Sequence, residues 1–167
     1  MKQSTFKILI VFLLLTGCSI TPESKLQSAH QDKSQQTLAV AEAFLQAAGA
    51  GDGNKLNELM SDDFVWHNEG DQRLPWIGNW QGKARVFGEF MPAFAAGLKI
   101  TSWSTDFSFA SGDQAVFMGT MSADANTTGK ATGVMNWAVR VHVEDGKVLR
   151  WTWLEDSYAV SKAYHDL

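Results

Sequence analysis

The clearest structural signal in the chain is the stretch 132–158, which reads TGVMNWAVRVHVEDGKVLRWTWLEDSY. Apolar side chains alternate with polar ones on both sides of Asp145-Gly146, and a period of two indicates β-strands. An Asp-Gly pair between two alternating runs predicts a tight hairpin turn. Two earlier segments alternate in the same way. We therefore predict four consecutive antiparallel strands, over 100–110, 115–123, 132–143 and 148–158.

The region before these strands has a helical period instead. Apolar residues recur three or four positions apart over 37–48, 56–60 and 82–96, and Pro92 comes late enough to kink or end the last segment. A short strand over 64–67 and a loop over 74–82 separate the second and third helices. Helices followed by consecutive strands form an α+β order, in which the helices cover one face of a curled sheet.

The first eighteen residues have the pattern of a bacterial lipoprotein signal. Lys2 and Lys7 lie before and at the start of an apolar run over 8–15, which is too short to cross a bilayer as a helix. The run ends in Leu15-Thr16-Gly17-Cys18, which resembles the lipobox at which lipoprotein precursors are cut and lipidated. Cys18 is the only cysteine, so it cannot form an intramolecular disulfide. We predict a signal peptide over 1–17 and a lipid-modified Cys18 that anchors the protein in a membrane.

The residues after the cysteine indicate which membrane this is and how the domain is attached. Inner-membrane retention in enteric-type bacteria calls for Asp next to the lipidated cysteine, whereas this chain has Ser19. We therefore expect the outer membrane, with the domain facing the periplasm. Residues 19–36 have almost no apolar side chains and cannot bury enough surface to order themselves. We predict a flexible tether over 18–36 and a single domain over 37–165.

Composition narrows the class of function. Asp and Glu number 18 against 14 Lys and Arg, and the basic residues are scattered, so we expect no nucleic-acid partner. The His, Asp and Glu residues lack the spacing of a metal site, and we expect neither a metal nor a cofactor. Seven Trp and ten Phe indicate an aromatic core, an aromatic-lined pocket for a small apolar molecule, or both.

Three short motifs follow one another in a defined order. They are FLQAA at 44–48 with Gly51-Asp52 after it, GNWQG at 78–82, and DGKV at 145–148 with Asp156 downstream. Over about residues 37–164 they resemble the SnoaL-like branch of the nuclear transport factor 2-like superfamily. The resemblance implies a cone-shaped, strongly bent antiparallel sheet with about three helices packed in it and an apolar pocket inside. It also implies a homodimer through the outer sheet face.

The catalytic positions of two groups in this superfamily are occupied by other residue types here. Ketosteroid isomerases use a Tyr hydroxyl and a carboxylate base, and the matching positions hold Phe44 and Asn68. SnoaL-type cyclases use an Asp on the last strand, and the matching position holds Trp153. Both chemistries are therefore in doubt, and other enzymatic activities stay open.

Three further polar residues are candidates for a catalytic role, namely His67, Arg140 and Asp156. His67 could act as a general base near neutral pH, or it could be a solvent-exposed residue at a strand end. Asp156 could pair with Arg140, which would either position a carboxylate for catalysis or form a structural ion pair.

The candidate pocket residues are mainly aromatic: Phe44, Trp66, Asn68, Trp76, Trp80 and Trp137. Strand alternation places Trp151 and Trp153 on one face of the last strand, and the sequence leaves open whether that face lines the cone. Three functions are compatible with these features. The domain binds a small, largely apolar ligand, or it is an isomerase, hydrolase or cyclase that uses His67 and Asp156, or it is an interaction module of a lipoprotein assembly.

Overall fold

The computed structural model describes residues 22–167. Within this range the helices are α1 (Pro22–Ala50), α2 (Gly53–Leu59), α3 (Lys83–Arg85), α4 (Met91–Gly97) and α5 (Ser157–His165), and a π-helical turn (Val86–Phe90) joins α3 to α4. No helix in this part of the chain combines the length and apolar character needed to cross a membrane. The predicted signal peptide and Cys18 lie outside the described residues.

Six strands make one sheet. They are β1 (Met60–Asn68), β2 (Gly78–Gln81), β3 (Leu98–Ser111), β4 (Gln114–Ala125), β5 (Met135–Glu144) and β6 (Lys147–Glu155). Their spatial order is β2-β1-β6-β5-β4-β3, and all neighbours are antiparallel except β1 and β6, which are parallel. The sheet is open, with β2 and β3 at its edges. The predicted α+β fold, a curved sheet with helices packed against it, is confirmed.

The longest strand pair, β3 with β4, shows how the sheet bends. Its ladder shifts register after Ile100 and again after Thr105. Such bulges bend a strand and increase its twist. Gly119 of β4 allows the two strands to approach closely, because a Cβ atom there would lie 1.9 Å from the backbone oxygen of Ser104. The indole of Trp137 donates to that same oxygen at 3.2 Å, so a buried side chain of β5 also holds the bend.

Helix α1 begins before the predicted domain boundary. The flexible tether predicted over 18–36 is wrong for residues 22–36, which are helical. The amino-terminal half of α1 docks on the turn between β3 and β4, where Thr37 Oγ1 donates to Gly112 O at 2.8 Å and Gly112 N donates to Ser34 Oγ at 2.9 Å. Residues 23–36 of α1 are mostly exposed, as their polar composition predicts. Gln, Lys, Glu and Ala are nevertheless good helix formers, and they extend a helix whose other half is packed.

The segment predicted as a loop differs from expectation, and of the two outcomes expected at Pro92, a kink or an end of the helix, the end is excluded. The four residues Gly78–Gln81 of the predicted loop form β2 and pair with β1. Pro92 does not end its helix, and the π-helical turn Val86–Phe90 lies directly before it, where the regular i→i−4 hydrogen bonding is already interrupted. The helix continues to Gly97.

Helix α5 replaces the end of the last predicted strand, which stops at Glu155. Asp156 is the N-cap of α5, and its carboxylate accepts a hydrogen bond from a backbone N–H of the first turn at 3.1 Å. The loop after β1 holds the helix body, because the Asp71 carboxylate accepts hydrogen bonds from both Arg73 and Ser161. These two donors, Arg73 first, hold the pKa of the Asp71 carboxyl well below its usual range.

The core lies between α1 and the concave face of the sheet. Phe44 is fully buried at its centre, with its ring 5.6 Å from Phe64, 6.0 Å from Trp66 and 5.1 Å from Trp151. Alternate residues of β4 and β5 complete this face, as their period of two predicts. The concave face of the sheet is therefore the face that packs against α1.

Candidate functional site

A cavity of about 520 Å³ lies between the concave sheet face, the carboxyl-terminal part of α1 and helix α4. Its wall is mainly aromatic, with Trp66, Phe90, Phe94, Trp103, Trp151 and Trp153. Smaller apolar residues complete the lining, among them Leu45, Ala48, Leu56, Met91, Ile100 and Met121. No charged side chain of the described range lines it. This size and lining are typical of pockets for small organic molecules.

Three tryptophans from three strands stack nearly parallel beside the cavity. The rings of Trp103 and Trp137 are 4.2 Å apart at 24°, and those of Trp137 and Trp153 are 5.2 Å apart at 13°. The register shift after Ile100 is what places Ile100 and Trp103 on the same face of β3. Trp103 and Trp153 line the cavity and Trp137 is the buried third member, so this side of the cavity is flat and aromatic.

Asn68 is the polar side chain of the cavity wall. It is 2% exposed, and its Oδ1 accepts a hydrogen bond from Trp66 Nε1 at 2.8 Å. A buried amide is usually paired through both its oxygen and its nitrogen. Here the only paired atom among the described residues is the oxygen, and the amide nitrogen has no acceptor.

Glu155 is an acidic residue next to the aromatic stack that the sequence reasoning missed. Its Oε2 accepts a hydrogen bond from Trp153 Nε1 at 3.0 Å, and its Oε1 is buried without a partner. Burial raises the pKa of this carboxyl, the Trp153 hydrogen bond lowers it, and the charge of Asp156 raises it further, with a net increase. Strand alternation could have found the residue, because positions 151, 153 and 155 share one face.

The three polar catalytic candidates do not meet in the cavity. His67 and Arg140 both lie on the outer sheet face, each opposite Thr152 in register. His67 Nε2 is 2.7 Å from Glu69 Oε1, and Arg140 is exposed. Asp156 caps α5 and forms no ion pair with Arg140 in the described structure. No set of His, Cys, Asp and Glu within residues 22–167 could hold a metal ion.

Of the six candidate pocket residues, two line the cavity and four pack against residues that line it. Trp66 and Asn68 line the cavity, whereas Phe44 and Trp137 are buried neighbours of residues that line it. The other two also contact residues that line the cavity: Trp76 packs against Phe94 and Tyr164, and Trp80 packs against Phe90 and the guanidinium of Arg85.

Five aromatic lining residues were absent from the predicted pocket, namely Phe90, Phe94, Trp103, Trp151 and Trp153. Trp151 and Trp153 were recognised as sharing a face, and the structure assigns that face to the cavity. The helical spacing of Phe90 and Phe94 indicated a buried helix face. Such a face can either line a cavity or pack in a filled core, so the spacing did not distinguish the two.

Comparison with known proteins places this geometry in a family. Residues 41–151 match the family described as the SnoaL-like domain. An NTF2-like protein of Burkholderia xenovorans LB400 is 21% identical, with a TM-score of 0.69 over 78% of this chain and 97% of that chain. TerC, co-crystallised with polyporic acid, is 16% identical, with a TM-score of 0.66 over 78% and 98%. No curated protein matches the sequence.

A third solved structure, of a protein from Jannaschia sp. CCS1 provisionally described as a SnoaL-like polyketide cyclase, is 15% identical. Its TM-score is 0.63 over 78% of this chain and 92% of that chain. Identities this low establish a common fold and leave the activity of this chain undecided. The family match covers well over half of the chain, from the packed half of α1 to β6, and agrees with the motifs in the sequence. The chain therefore belongs to the SnoaL-like domain family and has the NTF2-like fold.

Proposed function

We propose that this domain binds a small, largely apolar and planar molecule in its aromatic cavity. The observation that carries the proposal is the cavity of about 520 Å³, with six aromatic side chains, one buried amide and no charged side chain among the described lining residues. Burying a flat apolar molecule against such a wall removes apolar surface from water on both partners. TerC, which is similar in fold, was co-crystallised with a small molecule, and this supports a binding role.

Native mass spectrometry of the protein purified gently from its own host is the first test. A bound small molecule, released by denaturing extraction, would identify the ligand chemistry directly. A ligand-free protein that also fails to bind an apolar probe such as Nile red would contradict the proposal.

Two variants on β3 distinguish binding of the probe in the cavity from binding elsewhere on the surface. Trp103→Ala removes a cavity wall, and we expect the Kd for Nile red to rise about tenfold, the equivalent of roughly 1.4 kcal/mol. Phe107→Ala is the matched control, because Phe107 is on the same strand and pairs with Met118 on the outer face. Equal effects of both substitutions would place the probe outside the cavity.

The alternative of acid/base catalysis by His67 and Asp156 gains no support from their positions. Neither residue lines the cavity, and the two do not face each other. An enzyme acting in this cavity would need a different ionisable group.

We propose that Cys18 anchors the protein in the outer membrane, with the domain in the periplasm. This rests on the sequence of residues 1–19. Helix α1 adds a geometric consequence, because Pro22 begins it and Ala48 near its other end lines the cavity. At 1.5 Å per residue these positions are about 40 Å apart along the helix, so the cavity lies at the end of α1 remote from the anchor.

Cell fractionation followed by density-gradient separation of the membranes tests the anchor. We expect wild-type protein in the outer-membrane fraction and Cys18→Ser in the soluble fraction or as unprocessed precursor. Processed Cys18→Ser that stays with the outer membrane would contradict lipid anchoring.

We further propose a homodimer through the outer sheet face. An apolar row crosses four strands there, since Phe107 pairs with Met118, Met118 with Ala138, and Ala138 with Leu154. Phe107, Met118 and Leu154 are 54%, 46% and 45% exposed. A contiguous exposed apolar patch on a folded domain is typical of a protein interface.

A further inference from the structure

Glu155 is an ionisable residue beside the aromatic wall of the cavity, although it does not line the cavity itself. Its Oε2 accepts a hydrogen bond at 3.0 Å from the indole of Trp153, which does line the cavity. In the pairing of β5 with β6, Glu155 lies opposite Trp137, whose ring stacks on that of Trp153 at 5.2 Å. The carboxyl group is therefore hydrogen-bonded to one ring of the stack and lies beside a second.

The surroundings of this carboxyl group favour its neutral form. Oε1 is buried without a hydrogen-bond partner, and a carboxylate enclosed in this way loses far more hydration than a neutral acid does. Asp156, the next residue, adds a nearby negative charge. On the β1 side, the backbone N–H of Glu69 donates to Trp153 O at 3.1 Å, and the Glu69 carboxylate is paired with His67. Within residues 22–167, Glu155 forms no ion pair that would offset the cost of its ionisation.

The hydrogen bond from Trp153 acts in the opposite direction, because an N–H donor stabilises a carboxylate more than a neutral acid. It is outweighed: burial and the charge of Asp156 raise the pKa of Glu155 more than this hydrogen bond lowers it. An ionised Glu155 would require water at Oε1, and water could reach that enclosed atom only if the side chains that cover it moved. Ionisation therefore disfavours the packed arrangement in which Trp153 forms part of the cavity wall.

We propose that Glu155 is a positioning residue of the cavity: its protonated side chain holds Trp153 in the arrangement that binds a ligand, and its ionisation lowers the affinity for an apolar molecule. This inference rests on the ligand-binding function proposed above. A bound molecule that covers Trp103 and Trp153 excludes water from this wall, so it binds better to the state in which the carboxyl group needs no water. Because such coupling is reciprocal, the ligand and the proton each favour binding of the other.

The pH dependence of probe binding tests this role. Fluorescence titration gives the Kd for Nile red, an uncharged apolar probe, in a series of buffers from mildly acidic to mildly alkaline pH. The Kd of the wild-type protein should be constant while Glu155 is protonated, rise as the pH passes through the raised pKa of Glu155, and then level off. We expect a total rise of about fivefold, which is at the lower end of couplings between two sites in one protein.

Glu155→Gln is the decisive variant, because its amide keeps an oxygen for the Trp153 indole and cannot ionise. Its Kd for Nile red should stay near the low-pH value of the wild type at every pH. The matched control is Glu144→Gln, the same substitution at an exposed position of β5, and it should keep the wild-type pH profile. If Glu155 had only a structural role, Glu155→Gln would change the Kd by the same factor at every pH.

Asp156→Asn provides a second test should Glu155→Gln fail to fold. It removes the charge that helps to raise the pKa of Glu155 and keeps an N-cap for α5, so the rise in Kd should move to lower pH. A wild-type Kd that does not change with pH, or the same profile in Glu155→Gln, would overturn the role of Glu155 and leave the binding function intact. Failure of Nile red to bind at every pH would contradict the binding function and this inference with it.

Discussion

At the scale of single residues, Glu155 is the ionisable side chain that contacts the aromatic stack, through the hydrogen bond it accepts from Trp153. Burial of its carboxyl and the nearby charge of Asp156 raise its pKa more than the Trp153 hydrogen bond lowers it. The folded state therefore keeps this proton at pH values where the unfolded chain has lost it. The free energy of unfolding consequently falls as pH rises from the ordinary glutamate range through the raised pKa, and then levels off.

Glu155→Gln should remove this pH dependence. The amide keeps an oxygen for the Trp153 indole and has no charge to desolvate. We expect the free energy of unfolding of the variant to change less than that of the wild type over this pH range. At pH values above the raised pKa of Glu155, the variant should be more stable than the wild type. Urea denaturation at a series of pH values measures both quantities. The same pH dependence in wild type and variant would show that Glu155 does not cause it.

At the scale of secondary-structure elements, α5 depends on contacts at several points. Asp156 caps its first turn, and Asp71 accepts a hydrogen bond from Ser161 in its body. At the other end, Thr127 Oγ1 and Thr128 Oγ1 donate to backbone oxygens of its last turn. The helix is short, so these contacts and the burial of its apolar face stabilise it more than its own propensity does.

The cap at Asp156 yields a test that separates structure from catalysis. Asp156→Ala should lower the free energy of unfolding by about 1 kcal/mol, because the alanine leaves a backbone N–H without its acceptor. Asp156→Asn should lower the free energy of unfolding by only a few tenths of a kcal/mol, since Asn is an equally good N-cap. Urea denaturation of the three proteins provides the comparison. A large loss of any catalytic activity in Asp156→Asn, with unchanged stability, would instead favour the enzyme hypothesis.

At the scale of the whole molecule, the two faces of the sheet have separate roles. The concave face packs on α1 and lines the cavity, and the outer face exposes the apolar row that begins at Phe107. The open edge strand β3 contributes to both faces, because its register shifts turn Trp103 inward and Phe107 outward. Dimerisation through the outer face would therefore leave the cavity available.

Phe107→Lys should dissociate the proposed dimer. A charged side chain in the middle of the apolar row would have to be desolvated on association, which disfavours the interface. Light scattering coupled to gel filtration measures the mass directly. Val134→Lys is the control, since Val134 is 78% exposed and lies outside the row. A wild-type protein that is monomeric at the concentrations tested would contradict the proposal.

Much of the fold could be predicted because its signals are local. Alternation around Asp145-Gly146 specifies two strands and the turn between them, and helical spacing around Phe44 specifies the packed half of α1. The errors are also local. Residues 22–36 are helical although solvated, and Asp156 was placed in a strand, because polar residues that suit an exposed helix or an N-cap also suit other structures.

The candidate site could be predicted only in part. Aromatic composition indicated a cavity, and two of its lining residues, Trp66 and Asn68, were recognised. Trp103 was missed because a register shift in β3, which has no sequence signature, decides its face. His67 and Arg140 were plausible by residue type alone, and the pairing of their strands turns both away from the cavity.

The sequence by itself settled the α+β class, the hairpin at Asp145-Gly146 and membership in the SnoaL-like family, because periodicity, turn chemistry and motif order are properties of neighbouring residues. The tertiary structure alone decided which sheet face holds the cavity and which side chains line it. Those properties depend on strands far apart in the chain, since Asn68 comes from β1, Trp103 from β3 and Trp151 from β6. Their juxtaposition exists only once the sheet has paired and bent around α1.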